Sequence, residues 1–244
     1  MADKPLEANN WGDLYNENQL NALKESISAG MHSSWTKEML SIAKLKPGSK
    51  ILEIGAGSGQ TSLALAKAGH SVTALDYSEN PIKLAQKAAK LLNIELRTVV
   101  FDARLPLPFK EKEFDIIFHA GLLEHFEIPE RIEMLKAWKP YCNLMVSMVP
   151  NAASLCYRIG KERREKNGTW IFGKEEPSYT QIGEFLHAGY SVKQEYTIGE
   201  WDALEFLEYG DSLRENMAAI WNTRNNEGRT DNFWQGYLLV TLGE

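Results

Sequence analysis

The largely apolar run Ile51–Ile54 leads directly into three glycines at alternate positions, Gly55, Gly57 and Gly59. Glycine lets a backbone turn sharply and approach a ligand closely, because it has no Cβ. A helical pattern begins near Thr61, and the unpaired N–H groups at a helix N-terminus attract polar and anionic ligand groups. A buried strand, a glycine loop and a helix in this order therefore predict a cofactor-binding loop.

The spacing of these glycines separates different kinds of cofactor loop. The dinucleotide fingerprint requires glycine at relative positions one, three and six. In this chain the glycines occupy positions one, three and five, and Gln60 stands at position six. The Lys-Ser/Thr pair of a phosphate-binding loop is also missing from the segment. The spacing thus argues against both of these loop types.

A second chemical group follows the next strand pattern, Ser71–Leu75, which ends at Asp76. Asp76 lies roughly 20 residues after the start of the glycine loop, where a βαβ unit brings two neighbouring strand tips together. A carboxylate at this place can accept hydrogen bonds from both hydroxyls of a ribose. The same residue can instead open a turn before the next helix, with Ser78 as the N-cap.

The pattern acidic-x-Gly-x-Gly-x-Gly, with Glu53 in the acidic position, resembles the first motif of class I S-adenosylmethionine-dependent methyltransferases. Later strand ends agree with this family at matching distances. They are Asp76, the pair Asp102-Ala103 after the strand pattern Ile94–Phe101, and the fourth strand pattern from Phe114 with the segment Gly121–His125 behind it. The resemblance covers residues 50–149 well and the rest of the chain loosely.

The resemblance implies an α/β fold with a seven-stranded, mostly parallel sheet, flanking helices and one antiparallel strand near the end. The alternation of strand and helix patterns independently favours a doubly wound sheet. Helices are predicted at 19–29, 61–68, 81–92 and 129–138, and the later strands at 144–149, 190–198 and 233–242. We expect one domain over residues 1–244, with an N-terminal helical cap (1–45), a cofactor-binding core (46–150) and insertions after strands 5 and 6 (151–177 and 200–232).

The family's cofactor is S-adenosylmethionine, and the resemblance carries its binding roles to particular residues. The glycine loop would hold the methionine part, Asp76 the ribose and Asp102 the adenine amino group, and the Ala103 N–H would meet a ring nitrogen. Tyr15 can touch the cofactor, or the aromatic residues around it can pack the N-terminal helices onto the sheet. The implied cofactor-binding residues are Glu53, Gly55, Ala56, Gly57, Gly59, Thr61, Asp76, Tyr77, Asp102, Ala103, His119, Ala120, Gly121 and Tyr15.

Methyl transfer is a single in-line displacement, for which the protein supplies binding and alignment. A hydroxyl or ammonium acceptor must first lose a proton. His125 is the best candidate base, because it follows the fourth strand and has an ordinary pKa of about 6.5. Glu124 and His119 come next, and His125 can alternatively have a packing role behind the loop. The histidines and carboxylates show no metal-ligand spacing, so no metal site is predicted.

The acceptor side is predicted from the segment after the fifth strand, which is rich in aromatic and charged residues. Asn151, Tyr157 and Trp170 are the candidate substrate-binding residues, and a helix over 201–221 can shape the pocket or a dimer face. A small-molecule acceptor is the favoured interpretation. A protein or RNA methyltransferase and a non-catalytic, methyltransferase-like binding subunit are the alternatives, and another reaction on this fold, such as aminopropyl transfer, also stays open.

Charge and composition limit the partners. The 244 residues carry a net charge of −6, whereas a large nucleic-acid surface needs a basic stripe. The basic cluster Lys161–Lys166 is interrupted by acids and is interpreted as a solvated helix face. Many enzymes that methylate amino groups of nucleic acids carry Asn/Asp-Pro-Pro-aromatic after the fourth strand, where this chain has His119–Leu122. Nucleic acid is therefore a disfavoured substrate.

The remaining composition predicts a cytoplasmic chain, and both a monomer and a homodimer stay open. Cys142 and Cys156 lack metal-ligand spacing, and reduced thiols are the simpler interpretation. The segment Met1–Pro5 lacks the basic-then-apolar order of a signal peptide. No run of residues approaches the roughly 18 apolar positions that a membrane span needs.

Overall fold

The computed structural model describes residues 17–226 and 235–244, which form one seven-stranded sheet with helices on both faces. The strands are β1 (Lys50–Ile54), β2 (Ser71–Asp76), β3 (Arg97–Val100), β4 (Phe114–Ala120), β5 (Cys142–Pro150), β6 (Val192–Ile198) and β7 (Leu238–Gly243). The α-helices of the described residues are α1 (Glu17–Ala29), α2 (Ser34–Lys44), α3 (Gln60–Lys67), α4 (Glu79–Leu92), α5 (Ile128–Trp138), α6 (Leu155–Lys166), α7 (Ile182–His187), α8 (Glu200–Leu204) and α9 (Ser212–Asn226).

The strand order is β3-β2-β1-β4-β5-β7-β6, and β7 runs antiparallel to both of its neighbours. The chain proceeds outward from β1 to β3 and then returns to the other side of β1 as β4, so the order reverses between β1 and β4. Open α/β sheets bind ligands in the crevice outside the carboxyl ends of the strands at such a reversal. The predicted seven-stranded, mostly parallel fold is confirmed.

The central strands are buried on both faces, which is why β1 is an apolar run rather than an alternating pattern. On one face Leu52 packs in a cluster with Trp138 of α5. On the other face Ile51 and Phe118 pack with Met39 of α2. Each fully buried side chain of this kind contributes about 1.5–3 kcal/mol. This two-sided core holds the strand ends, and the loops that follow them, in place.

The predicted helices at 19–29, 61–68, 81–92 and 129–138 correspond to α1, α3, α4 and α5, with small shifts at their ends. The continuous helix predicted over 201–221 is wrong, because α8 and α9 are separate helices there. Gly210 between them has a φ of +85°, and the Asp211 carboxylate accepts the N–H of Leu213 to begin α9.

Two predicted strands also differ at their ends. The third strand is shorter than the predicted 94–101, because Asn93 ends α4 with a φ of +54° and the N–H of Ile94 still donates to Ala89. The last strand was predicted over 233–242, and β7 occupies its second half, while residues 233–234 lie outside the described residues.

Three features that were considered from composition can be compared with the structure: the two cysteines, the basic cluster and the length of the apolar helices. Cys142 and Cys156 are both free thiols. The basic cluster lies on α6, where Lys166 pairs with Glu162 at exposed positions. The Lys161 side chain is only 12% exposed and lies over the Trp170 ring, so only part of the cluster is a solvated helix face. Among residues 17–226 and 235–244, we find no helix with the length and apolar character that crossing a bilayer needs.

Candidate active site

The glycine loop joins β1 to α3 and has a backbone that requires glycine. Gly55, Gly57 and Gly59 have φ angles of +69°, +51° and +71°, in the left-handed region that L side chains rarely adopt. Space is also limited, since a Cβ at Gly59 would lie 2.8 Å from the Cβ of Ala85, and one at Gly55 would lie 3.3 Å from Leu122. The loop is therefore a close backbone cradle at the carboxyl end of β1.

Asp76 joins this loop to the end of β2. Its carboxylate accepts the N–H of Gly57 at 3.0 Å and the N–H of Ser78 at 2.9 Å. Burial raises the pKa of Asp76, and the backbone hydrogen bonds partly oppose that rise. Ser78 is the N-cap residue of α4, as the alternative interpretation of Asp76 expected, although its side chain makes no capping bond. A carboxylate has about four lone-pair sites, so Asp76 can serve both the loop and a ligand.

Glu53 and Thr61 are buried side chains that bond to neighbouring helices. The Glu53 carboxylate accepts the N–H of Ser62 in the first turn of α3 at 3.0 Å and also the Ser62 hydroxyl. The Thr61 hydroxyl lies 2.7 Å from that of Thr36 in α2. Burial raises the pKa of Glu53 to about 8. These contacts hold the N-terminus of α3 behind the glycine loop, and a direct cofactor contact by either residue stays a prediction.

The predicted adenine-binding residues lie in the loop after β3. Arg104 donates its N–H and guanidinium hydrogens to the two Asp102 oxygens over 2.6–3.1 Å. This pairing lowers the pKa of Asp102. The indole N–H of Trp138 donates to the carbonyl of Ala103 at 2.9 Å and so anchors the loop to the core. Tyr77, after β2, is half-buried, and burial raises its pKa to about 12.

His119 is fully buried within β4 rather than exposed at its end. Its Nε2 lies 2.7 Å from the Ser147 hydroxyl, which donates to the Gln181 side-chain oxygen at 2.9 Å. Burial, with a smaller effect from the charge of Arg131, lowers the pKa of His119 to about 3. The His119 ring is therefore neutral at physiological pH. Any influence on the crevice is indirect, through the position of the residues that follow it in the chain.

Ala120 and Gly121 form the end of β4 that faces the glycine loop. Ala120 is half-buried, and Gly121 is exposed with a φ of +78°. The Gly121 N–H donates to the carbonyl of Met148 in β5 at 2.9 Å. The next side chain, Leu122, contacts the glycine loop at Gly55. Tyr15, which was predicted to cover the cofactor, lies outside the described residues.

Glu124 and His125 lie in a short 3-10 turn after β4. The Nδ1 of His125 is 2.9 Å from the carbonyl oxygen of Lys174, and its Nε2 is 4.0 Å from Oε1 of Glu124. The N–H of Glu176 donates to the carbonyl of Glu124 at 2.8 Å. Burial lowers the pKa of His125 and raises that of Glu124, with the charge of Glu175 adding to the second effect. The turn after β4 therefore packs against residues 174–176.

The three predicted substrate-binding residues have different surroundings. The buried Tyr157 donates its hydroxyl to Glu175 at 2.7 Å, so it reaches the group formed by Glu124 and His125. The side-chain amide of Asn151 donates to the carbonyl of Gly236 and accepts the N–H of Ala153. Both bonds are to backbone groups, so this side chain stabilises the local backbone. Trp170 is half-buried and donates to the carbonyl of Gly173 within its own loop.

An aromatic cluster adjoins Tyr157. Its ring centroid lies 5.0 Å from that of Phe206 and 5.4 Å from that of Tyr237, and the last two rings are 4.8 Å apart. Such separations are typical of favourable edge and tilted aromatic contacts. Gly160 permits this packing, since a Cβ there would lie 2.2 Å from the Phe206 carbonyl oxygen. The sequence analysis missed Phe206 and Tyr237, which no local pattern singles out.

Arg131 is a further residue that the sequence analysis missed. It is 2% exposed, and its guanidinium donates to the carbonyls of Phe126 and Glu176 and to the hydroxyl of Ser178, at 2.8–3.2 Å. Glu184 of α7 lies 3.5 Å away and supplies a counter-charge. Arg131 thereby fastens residues 176–178 to α5, beside the turn that carries Glu124. Only its position in the amphipathic pattern of α5 hinted at burial.

The strand order, with the antiparallel β7 between β5 and β6 and a glycine loop at the order reversal, is that of the Rossmann-like class I methyltransferase fold. A putative methyltransferase of Haloferax volcanii, solved in complex with a methyltransferase activator, superposes with a TM-score of 0.62 at 17% identity, over 97% of this chain and 96% of that chain. Magnesium protoporphyrin IX methyltransferase from Synechocystis PCC 6803, solved with bound SAH, gives 0.55 at 15% identity, over 90% and 81%.

Residues 51–143 match the family model described as "Methyltransferase domain". Demethylmenaquinone methyltransferase of Bacillus cytotoxicus is 32% identical over 113 residues, which are 45% of this chain and 47% of that relative. The Bacillus cereus protein of the same name is 30% identical over 113 residues, with the same coverage. The chain thus spans about half the length of the curated relatives it matches.

Proposed function

We propose that this chain is an S-adenosylmethionine-dependent methyltransferase that acts on a small-molecule acceptor. The observation that carries the proposal is the glycine loop at the switch point, with three left-handed glycines and the Gly57 N–H bound to Asp76. The family match over residues 51–143 supports the reaction type. The relatives named demethylmenaquinone methyltransferase support an acceptor that is a small molecule.

The hydrogen-bonding groups at the strand ends support S-adenosylmethionine as the ligand. The backbone turn at Gly55 and Gly57 would approach the methionine part, Asp76 would accept the ribose hydroxyls, and Asp102 with Ala103 would meet the adenine. When bound, the cofactor supplies a methyl group activated on a sulfonium. The chain's part is to align the acceptor for in-line attack and to keep water away, which contributes about 7–11 kcal/mol in the best cases.

We place the acceptor next to the turn after β4. This turn carries Glu124 and His125, and the aromatic cluster around Tyr157 adjoins the same group through Glu175. Aromatic rings and buried carboxylates suit a small ring that bears an ionisable hydroxyl, because the rings stack and the acids accept hydrogen bonds. The net charge of −6 argues against RNA as the acceptor. The residues 151–177 and 200–232 remain our proposed acceptor-side insertions.

The test uses the full chain in two steps. Calorimetric titration with S-adenosylhomocysteine measures cofactor binding without any assumption about the acceptor. A homocysteine-product assay over a panel of phenols, amines, thiols and acids then measures turnover. We expect micromolar binding of the product cofactor and turnover with a hydroxylated ring compound. Absence of binding by the wild-type chain would overturn the proposal, and binding without turnover on the whole panel would favour a cofactor-holding subunit.

A further inference from the structure

Three groups of the kind that bind metals meet beside the turn after β4. Glu124, His125 and Glu175 each offer one ligand atom, and these atoms lie within 4.8 Å of one another. Two hydrogen bonds hold the segments together. One joins the His125 ring to the Lys174 carbonyl, and in the other the Glu176 N–H donates to the Glu124 carbonyl. The arrangement is therefore built into the fold and does not depend on flexible surface side chains.

The Glu124 carboxyl group lacks a full set of partners within the described residues. It is 2% exposed, and its Oε2 is enclosed without a hydrogen-bond partner. A buried polar group left unsatisfied costs about 1–3 kcal/mol, and more when it is charged. The carboxyl group of Glu175 is a second acidic group beside it. The Tyr157 hydroxyl donates a hydrogen bond to its Oε2 atom. A buried carboxyl group beside a partly buried one is stabilised by a retained proton or by a cation that binds both.

The orientation of His125 is that of a metal ligand. Its Nδ1 contacts the carbonyl oxygen of Lys174, which can only accept, so Nδ1 carries the proton and Nε2 is the basic nitrogen. Metal-binding histidines usually donate their second ring N–H in this way. Two ligands on one Zn²⁺ ion, each at about 2.0–2.2 Å, lie about 3–4.4 Å apart. The 4.0 Å between Nε2 and Oε1 of Glu124 falls in that range.

The buried guanidinium of Arg131, on the neighbouring helix α5, has its own hydrogen-bonding partners away from these three ligands. Arg131 directs its guanidinium to Ser178, to the carbonyls of Phe126 and Glu176, and towards Glu184. Lys161 is a second cation near this group, and its ammonium pairs with Glu165 and lies over the Trp170 ring. Neither Arg131 nor Lys161 is therefore dedicated to the two carboxyl groups.

We propose that Glu124, His125 and Glu175 bind one divalent metal ion, such as Zn²⁺ or Mn²⁺. Two carboxylates and one imidazole suit such ions, and three protein ligands leave coordination positions open for an acceptor. This differs from the sequence prediction of no metal, since the ligands lie on segments about fifty residues apart that no local motif joins.

A role for the ion in catalysis rests on the proposed function. An acceptor hydroxyl in an open position loses its proton to solvent more easily, because the ion stabilises the oxyanion. The oxygen then attacks the methyl carbon, and the carbon–sulfur bond breaks with its electron pair going to sulfur. S-adenosylhomocysteine and the methylated acceptor are the products.

The test is metal titration of the chelator-treated full chain without cofactor. We expect one ZnCl₂ or MnCl₂ per chain by calorimetry for the wild type. Glu124→Gln and Glu175→Gln should each weaken this binding by more than about 100-fold, since changes outside the ligand set already cost 10–100-fold. Glu176→Gln is the matched control, because it removes one charge at the next position and is half exposed. It should bind as the wild type does.

A second measurement needs no variant. The electron spin echo of bound Mn²⁺ should be modulated by an imidazole nitrogen, which only His125 supplies in this group. Absence of metal binding by the wild type, absence of the nitrogen signal, or equal binding by folded Glu124→Gln would each overturn the inference. Titration with S-adenosylhomocysteine separates the two proposals: cofactor binding without metal binding defeats this one alone, and metal binding without cofactor binding defeats the proposed function alone.

Discussion

Asp76 shows how a side chain that holds local structure can keep acceptor capacity for a ligand. Its carboxylate bridges the Gly57 and Ser78 N–H groups, so it fixes the tip of β2 against the glycine loop before any ligand arrives. Because the two oxygens have lone pairs to spare, the same group can accept ribose hydroxyls. A substitution that keeps the shape of the Asp76 side chain is therefore needed to separate its contacts with the glycine loop from its proposed contacts with the ribose.

We predict that Asp76→Asn weakens S-adenosylhomocysteine binding by about 1.5–3 kcal/mol, the usual value of a hydrogen bond to a charged group. This corresponds to roughly 10–100-fold in Kd, measured by calorimetry. The amide keeps one acceptor oxygen for the loop, so the melting temperature should fall only slightly. Glu79→Gln removes an exposed acid three positions later and serves as the control. Equal affinities for the two variants would contradict the ribose role.

Glu53 gives a pH prediction at the same scale. Burial raises its pKa to about 8, above that of the unfolded chain, so the folded state binds the extra proton. Stability from this group is therefore full below the unfolded pKa and falls as pH rises towards 8. Relative to Glu53→Gln, the wild type should lose up to about 1.4 kcal/mol per pH unit across that window. Urea denaturation at pH 5, 6.5 and 8 measures this, and a constant difference would contradict it.

At the scale of elements, the glycine loop couples β1 to the start of α3. Gly59 is the N-cap residue of α3 and has both a left-handed φ and a close neighbour in α4, Ala85. Gly69, just after the other end of α3, has a φ of +94° and nothing within 4 Å of an added Cβ. The two glycines thus differ mainly in packing.

We predict that Gly69→Ala costs about 1–2 kcal/mol from backbone strain alone. Gly59→Ala should cost this strain and about 1–3 kcal/mol more, because the methyl group overpacks against α4. Both free energies of unfolding come from urea titration. Gly59→Ala should also weaken cofactor binding, since α3 must move, whereas Gly69→Ala should not. Equal destabilisation by both variants would show that the loop has room to adjust.

At the scale of the whole molecule, residues far apart in the chain close one side of the crevice. Residues 174–178 reach the turn after β4 through the backbone bonds at Lys174 and Glu176 and through the buried Arg131. The aromatic cluster then joins α6 to Phe206 and to Tyr237 just before β7. The proposed acceptor side is thus an assembly of segments that meet only in the folded chain.

We predict that Arg131→Met lowers the free energy of unfolding by about 3–5 kcal/mol, because Glu184 and several carbonyls lose their buried partner. Lys136→Met, on an exposed part of the same helix, should change it by less than about 0.5 kcal/mol. Denaturant titration gives both values. Limited proteolysis should cut within residues 170–178 faster in Arg131→Met. Unchanged cleavage there would mean that the segment is held by other contacts.

The fold was predictable from the sequence to a large extent. Apolar runs such as Ile51–Ile54 and the strand–helix alternation identified the parallel strands and their helices, since burial on both faces leaves a local pattern. The positions of Asp76 and Asp102 at neighbouring strand ends were predictable, because βαβ units bring the carboxyl ends of their strands together at one edge of the sheet. The break at Gly210 was missed, because a single glycine does not by itself end a helical pattern.

The sequence by itself determined the glycine loop and its place at the strand ends, because the glycine spacing and the strand patterns are local features that dictate backbone geometry. Only the tertiary structure decided which side chains face the crevice. Glu53 and His119 turn into the core, where burial shifts the pKa of each. Glu175 comes instead to Glu124 and His125 from about fifty residues away. Contacts of this range arise from packing between segments, and no spacing along the chain records them.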